Sequence, residues 1–124
     1  MISGVVVTGE ARIPLTVGGP SGPDHAIEAV IDTGYTASLS LPPSLIAAMA
    51  LRWQGIGRAA LADGSECLFD VFEAEIVWDG RPRRVFVDEA DTDPLVGMDL
   101  LSGYKLTMEV RAEGSVEIEA LGSA

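Results

Sequence analysis

Histidine and cysteine are almost missing from this chain: His25 and Cys67 are the only ones. A single cysteine excludes an internal disulfide and agrees with a reducing compartment. One histidine and one cysteine also exclude, within one chain, a four-ligand zinc site built from thiolates and imidazoles. Basic residues are scarce as well. Eight Lys and Arg stand against nineteen Asp and Glu, a net charge of −11 and a sequence pI near 4.2. Such a surface repels phosphate backbones and anionic lipid, so neither nucleic acid nor membrane is an expected partner. No apolar run approaches the roughly 18 residues of a membrane helix, and Met1-Ile2-Ser3-Gly4 lacks the basic start of a signal peptide. The expectation is a soluble, cytoplasmic protein with no metal and no cofactor.

What the sequence does have is a core. With 124 residues, 48% hydrophobic and 22% charged, residues 1–124 are expected to form one domain. The pattern is mostly short strands. Val5-Val6-Val7 is broken by Thr8-Gly9, and Arg12 to Val17 alternates, which places Pro14 at an edge or a bulge. A Gly/Pro-rich loop over Gly18–Pro23 precedes a third strand, Ala26 to Ile31, which runs into Asp32-Thr33-Gly34. Ser38-Leu39-Ser40-Leu41 alternates and stops at Pro42-Pro43, after which a short helix is expected from Pro43 to about Leu51. Gly57–Ala62 and Ser65–Trp78 read as a hairpin turning at Asp63-Gly64, taken as a two-residue turn with both central residues at positive φ. Along the return, Phe69 and Val71 share one parity and Phe72, Ala74, Ile76 and Trp78 the other, which predicts a kink near Val71-Phe72. A second hairpin turns at Asp79-Gly80. Pro94 to Leu101 reads as a short strand entering a helical turn capped by Gly103, and Tyr104–Val110 with Val116–Ala120 as a closing hairpin.

Asp32-Thr33-Gly34 places a carboxylate at the end of a strand read as buried, which is costly unless the charge is hydrogen-bonded or has a task. By itself the tripeptide proves little: it occurs by chance in about one chain in forty of this length, and an Asx-type turn accounts for it. Its context carries more weight. Ala29-Val30-Ile31-Asp32-Thr33-Gly34, the Asp63-Gly64 hairpin, and Pro94-Leu95-Val96-Gly97 before a short helix follow in that order. This succession resembles the retropepsin-like aspartic proteases, the single-lobe relatives of pepsin that include retroviral proteases. It is most similar to the small bacterial members of that acid-protease clan, and the resemblance covers nearly the whole chain.

The resemblance implies an all-β, closed barrel-like acid-protease fold with one or two short helices. It implies a homodimeric aspartic endopeptidase acting on a peptide or protein substrate. Asp32 would be the catalytic carboxylate, one from each subunit. Thr33 would tie the two loops together across the dimer axis, and Gly34 would let backbone approach the carboxylate. Leu61 to Cys67 would be the flap closing over a peptide, with Asp63-Gly64 at its tip and Leu61, Ala62, Asp63, Gly64 and Ser65 binding the substrate. Leu95, Val96 and Gly97 would pack on the active-site loop. The chemistry agrees with the count: peptide hydrolysis needs a base for water and an acid for the leaving amine, and two aspartates sharing a proton supply both. A chain with one such motif obtains the second only from another copy. Two copies together carry −22, so the dimer must be held by apolar or paired contacts.

Tyr35 departs from the small residue usual after the glycine. Two readings stay open: it packs beneath the loop, or it narrows a subsite. A retained fold that binds a peptide or protein partner without cutting it is the alternative function, and a structural dimer in which Asp32 caps a turn is a third. Weaker candidates are a His25–Cys67 nucleophilic pair, calcium at Asp88–Asp93, and ion pairing by Arg81, Arg83 and Arg84. Trp53 and Trp78 are candidates for core or interface.

Overall fold

Alternating side chains set the strands. The structure, a computed structural model, describes residues 1–20 and 24–122. Among them, strands make up 58%. In chain order the elements are β1 (Ile2–Val7), β2 (Glu10–Gly18), β3 (His25–Ile31), β4 (Leu39–Leu41), α1 (Pro43–Ala48), β5 (Arg52–Ala60) and β6 (Glu66–Trp78). They continue with β7 (Arg81–Glu89), β8 (Leu95–Val96), α2 (Met98–Leu101), β9 (Tyr104–Met108) and β10 (Ser115–Ala120). Part of the loop expected over Gly18–Pro23 lies outside the described residues. No described helix is long and apolar enough to cross a membrane.

Six strands close into a barrel in the order β6–β7–β4–β8–β3–β2, and β2 returns to β6 through Thr16↔Val77, Val17↔Ile76 and Gly18↔Glu75. Beyond the ring, β5 extends from β6, and β1, β10 and β9 extend from β2. Pro14 lies where β2 has left β1, whose last pair is Val5↔Arg12, and has not yet reached β6. The strand is locally an edge there, where a residue without an N–H is tolerated.

The barrel interior is filled by Ile13, Val17, Leu39, Leu41, Ile76, Val87 and Val96, each under 2% exposed. Each such side chain contributes about 1.5–3 kcal/mol relative to exposure. Met49 and Leu100 close the core from the helical segments, and Trp78 meets Tyr104 edge-to-face at 5.8 Å. Trp78 is therefore core. Trp53 instead lies 56% exposed, its indole N–H donating to Asp70.

The parity break in β6 has a structural counterpart on the neighbouring strand. Trp53 pairs with Phe72 and Gly55 with Val71, so Gln54 is an extra residue that bulges β5. Past this point β6 also pairs with β7, so its Ala74, Ile76 and Trp78 face the barrel core.

The hairpins differ in their turns. Thr8-Gly9 (φ 51° and 77°) and Asp79-Gly80 (φ 53° and 77°) are both left-handed pairs, as a two-residue type I′ loop requires. The Asp63-Gly64 reading needs correction. Only Gly64 is left-handed, at φ 86°, and the Gly64 N–H donates to the Leu61 carbonyl while the Leu61 N–H donates to that of Ser65. This is a three-residue loop, a type I turn followed by a glycine bulge. The Asp63 carboxylate drives it: Oδ1 accepts from the Ser65 N–H and hydroxyl, and these bonds hold its pKa below the usual carboxylate range.

Candidate functional site

Asp32 follows directly on β3, of which only Ala29 and Val30, near its end, are buried. Its backbone is fixed first. The Asp32 N–H donates to the Val96 carbonyl at 2.9 Å, and the Tyr35 N–H donates to the Asp32 carbonyl at 3.1 Å, closing a turn. Its side chain is fixed next: the Gly34 N–H donates to Asp32 Oδ1 at 2.9 Å. One carboxylate oxygen is thereby held and the half-buried group is oriented. Thr33 beside it is exposed.

The second expected segment arrives beside this turn. Val30 and Ile31 pair in parallel with Leu95 and Val96, and Leu39 and Ser40 pair with the other edge of β8. After β8 the backbone binds the loop itself: the N–H groups of Gly97, Met98 and Asp99 donate to the carbonyls of Ser38, Tyr35 and Ala37. The Ser38 hydroxyl adds a bond to the Asp99 carboxylate. Gly97 sits at the tightest point, where a Cβ would lie 2.1 Å from the Ala37 carbonyl oxygen and 2.6 Å from the Tyr35 ring. Asp32, Gly34, Leu95, Val96 and Gly97, 60 and more residues apart at the extremes, thus form one hydrogen-bonded unit.

Tyr35 is half-buried and packs against the loop. Its hydroxyl donates to Asp88 Oδ2 at 2.6 Å and also lies near the Leu39 carbonyl, so the side chain braces the loop against β7. Burial first, then the bond to the Asp88 carboxylate and its charge, push the phenol pKa well up, so it remains a proton donor. It also lines a groove of about 890 Å³.

That groove runs from Gly34–Ala37 across Ser40 to the end of β7, and the β5–β6 hairpin walls its far side with residues 58–60 and 67–69. Asp32 itself does not line it, whereas Gly34 and Tyr35 of its turn do. The residues expected as the substrate-binding flap, Leu61–Ser65, do not line it; all five are exposed at the hairpin tip. If the tip closes over a bound peptide, Gly64→Val should reduce kcat/KM by tenfold or more while costing only about 1–2 kcal/mol of stability. The cost arises because a β-branched residue resists φ 86°, although nothing lies within 4 Å of the added Cβ. Parallel kinetics and melting curves check this; unchanged kinetics would show that the tip does not cover substrate.

Sequence reasoning missed Ser40 as a groove residue and placed Asp88 only in a candidate calcium stretch, not as the partner of Tyr35. Ser38-Leu39-Ser40-Leu41 reads as a strand with one wet face, whereas β4 is buried on both, and Ser40 is 3% exposed. The other candidates are not assembled. His25 opens β3 opposite Val17, and Cys67 lies exposed opposite Ala59, with no hydrogen bond between them among the described residues. No group of three or more His, Cys, Asp or Glu is placed to hold a metal among the described residues. Arg84 pairs with Glu73 at 3.1 Å across β6 and β7. No protein-family model matches the chain, and no curated protein matches it.

Proposed function

We propose that the protein is an aspartic endopeptidase of the acid-protease fold, active as a homodimer in which each subunit supplies one Asp32. The observation that carries this reading is the Asp32 turn. A half-buried carboxylate is held through Oδ1 by the Gly34 N–H, and the loop beneath it is locked by a glycine with no room for a side chain. A turn-capping aspartate needs no such second segment.

The dimer follows from the chemistry. One oriented carboxylate can take a proton from water but cannot also give one to the leaving amine. Two facing each other share a single proton, because like charges at contact cannot both stay ionised. The ionised member deprotonates water as it attacks the peptide carbonyl, and the protonated member stabilises the developing oxyanion and supplies the proton the amine requires. Thr33 is exposed beside Asp32, where its hydroxyl can bond the equivalent loop of a second copy. Met98, 46% exposed at the start of α2 and bonded through its N–H to Tyr35, offers an apolar contact next to that loop. Contacts of this kind suit subunits that each carry −11.

The reading is tested with quenched fluorescent peptides over a pH series. Since hydrolysis needs the singly protonated pair, kcat/KM should be bell-shaped with an acidic to near-neutral optimum, and both limbs should belong to the pair. Peptide binding without cleavage at any pH would leave a binding module in its place.

A further inference from the structure

The groove beside Asp32 is unevenly charged. Asp88, Glu89 and Asp91 line one side, Arg58 alone faces them from the hairpin, and Arg58 is directed to Glu66 at 3.9 Å. Among the described residues none of the three acids has a Lys or Arg within 4.0 Å, although Arg12, Arg84 and Arg111 each find carboxylates elsewhere. Asp88 Oδ2 accepts from Tyr35, which leaves its other oxygen, with Glu89 and Asp91, as acceptors.

Beneath them is an independent feature. Ser40, opposite Asp88 in the β4–β7 register, lies against the groove with its hydroxyl buried and without a hydrogen-bond partner among the described residues. Buried hydroxyls are normally paired, because leaving one unpaired costs about 1–3 kcal/mol. A guest that shifts the atoms covering this hydroxyl and brings a hydrogen-bonding group to it removes that cost.

We infer that the groove selects peptides carrying a lysine or arginine side chain, whose cation sits among Asp88, Glu89 and Asp91 while the adjoining peptide group meets Ser40. That the guest is a peptide rests on the endopeptidase reading; that it is cationic rests on the groove. The aliphatic stem of such a side chain has matching surface in Ala59, Ala60, Leu68 and Phe69.

Full-length Asp32→Asn protein, immobilised, is equilibrated with a pool of nine-residue peptides in which Lys, Arg, norleucine and Glu are sampled at every position, and the bound fraction is sequenced by mass spectrometry. Lys and Arg should be enriched about tenfold over norleucine at one position of the peptide. The preference should fall below twofold in the Glu89→Gln/Asp91→Asn protein and be visibly reduced by Asp91→Asn alone, a change on an exposed loop. No bound peptide, no preference, or an enrichment of Lys at all positions that survives both substitutions would overturn the inference, the last by tracing it to the overall −11 charge. The unmodified protein is given the same pool in parallel. Retained enrichment without cleavage would refute the peptidase and leave the inference standing, whereas cleavage indifferent to Lys and Arg would refute the inference alone.

Discussion

Asp32→Asn should lower peptide cleavage at least about a thousandfold while leaving fold and assembly intact. Asparagine is nearly isosteric, and its carbonyl oxygen can accept the Gly34 N–H just as Asp32 Oδ1 does at 2.9 Å. The backbone bonds to Val96 and from Tyr35 do not involve the side chain and should persist. What disappears is the ability of either subunit to act as base toward water. The dimer should be as tight as before or tighter, since two facing carboxylates repel unless they share a proton. Kinetics, melting curves and sedimentation on the two proteins, purified in parallel, give the three readouts. Equal cleavage by both would trace the activity to a contaminant or to another site.

Gly97→Ala should be among the most damaging single-methyl changes in this chain. The new Cβ would lie 2.1 Å from the Ala37 carbonyl oxygen, 2.6 Å from the Tyr35 ring and 2.7 Å from the Tyr35 carbonyl oxygen. Two of these three are backbone atoms of the loop that follows Asp32, so relief requires the loop to move and its bonds from Gly97, Met98 and Asp99 to lengthen. A loss of about 2–4 kcal/mol is expected, which for a domain of this size lowers Tm by on the order of 10 °C. Activity should fall further than the unfolded fraction explains, because the displaced loop carries Asp32. Gly34→Ala is the control: its Cβ meets only Asp32 Oδ1, at 3.3 Å, so its effect on Tm should be small. Equal melting of the two variants would mean that the segment after β8 does not hold the loop.

The contrast between these glycines shows how far the chain could be read without its structure. Strands were legible wherever one face is wet: β2, β9 and β10 alternate, and the parity change at Val71-Phe72 marks where β6 passes from the hairpin to the barrel, although the extra residue, Gln54, belongs to the partner strand. The Asp79-Gly80 turn was legible from its residues. Asp63-Gly64 has the same residues and a different turn, because the Asp63 side chain bonds Ser65 and stabilises the longer loop. Residue identity alone does not distinguish the two.

Closure of the barrel depends on three β2–β6 pairs between residues some 60 positions apart, and no local pattern encodes them. The same holds for the contact between Tyr35 and Asp88, separated by 53 residues. Asp32, Gly34 and Leu95–Gly97 stood out because they lie in short runs with a recognisable order. Ser40 did not, because a serine alternating with leucine looks like a surface strand until β7 and β8 are seen on either side of it.

An aspartic endopeptidase built on Asp32 requires two Asp32 carboxylates to meet in one assembly, and the most direct measurement is their separation in a crystal structure of the dimer. It should show carboxylate oxygens of the two subunits within hydrogen-bonding distance, about 2.5–3.0 Å. Subunits joined through a surface that leaves the two carboxylates facing solvent apart from each other would contradict it.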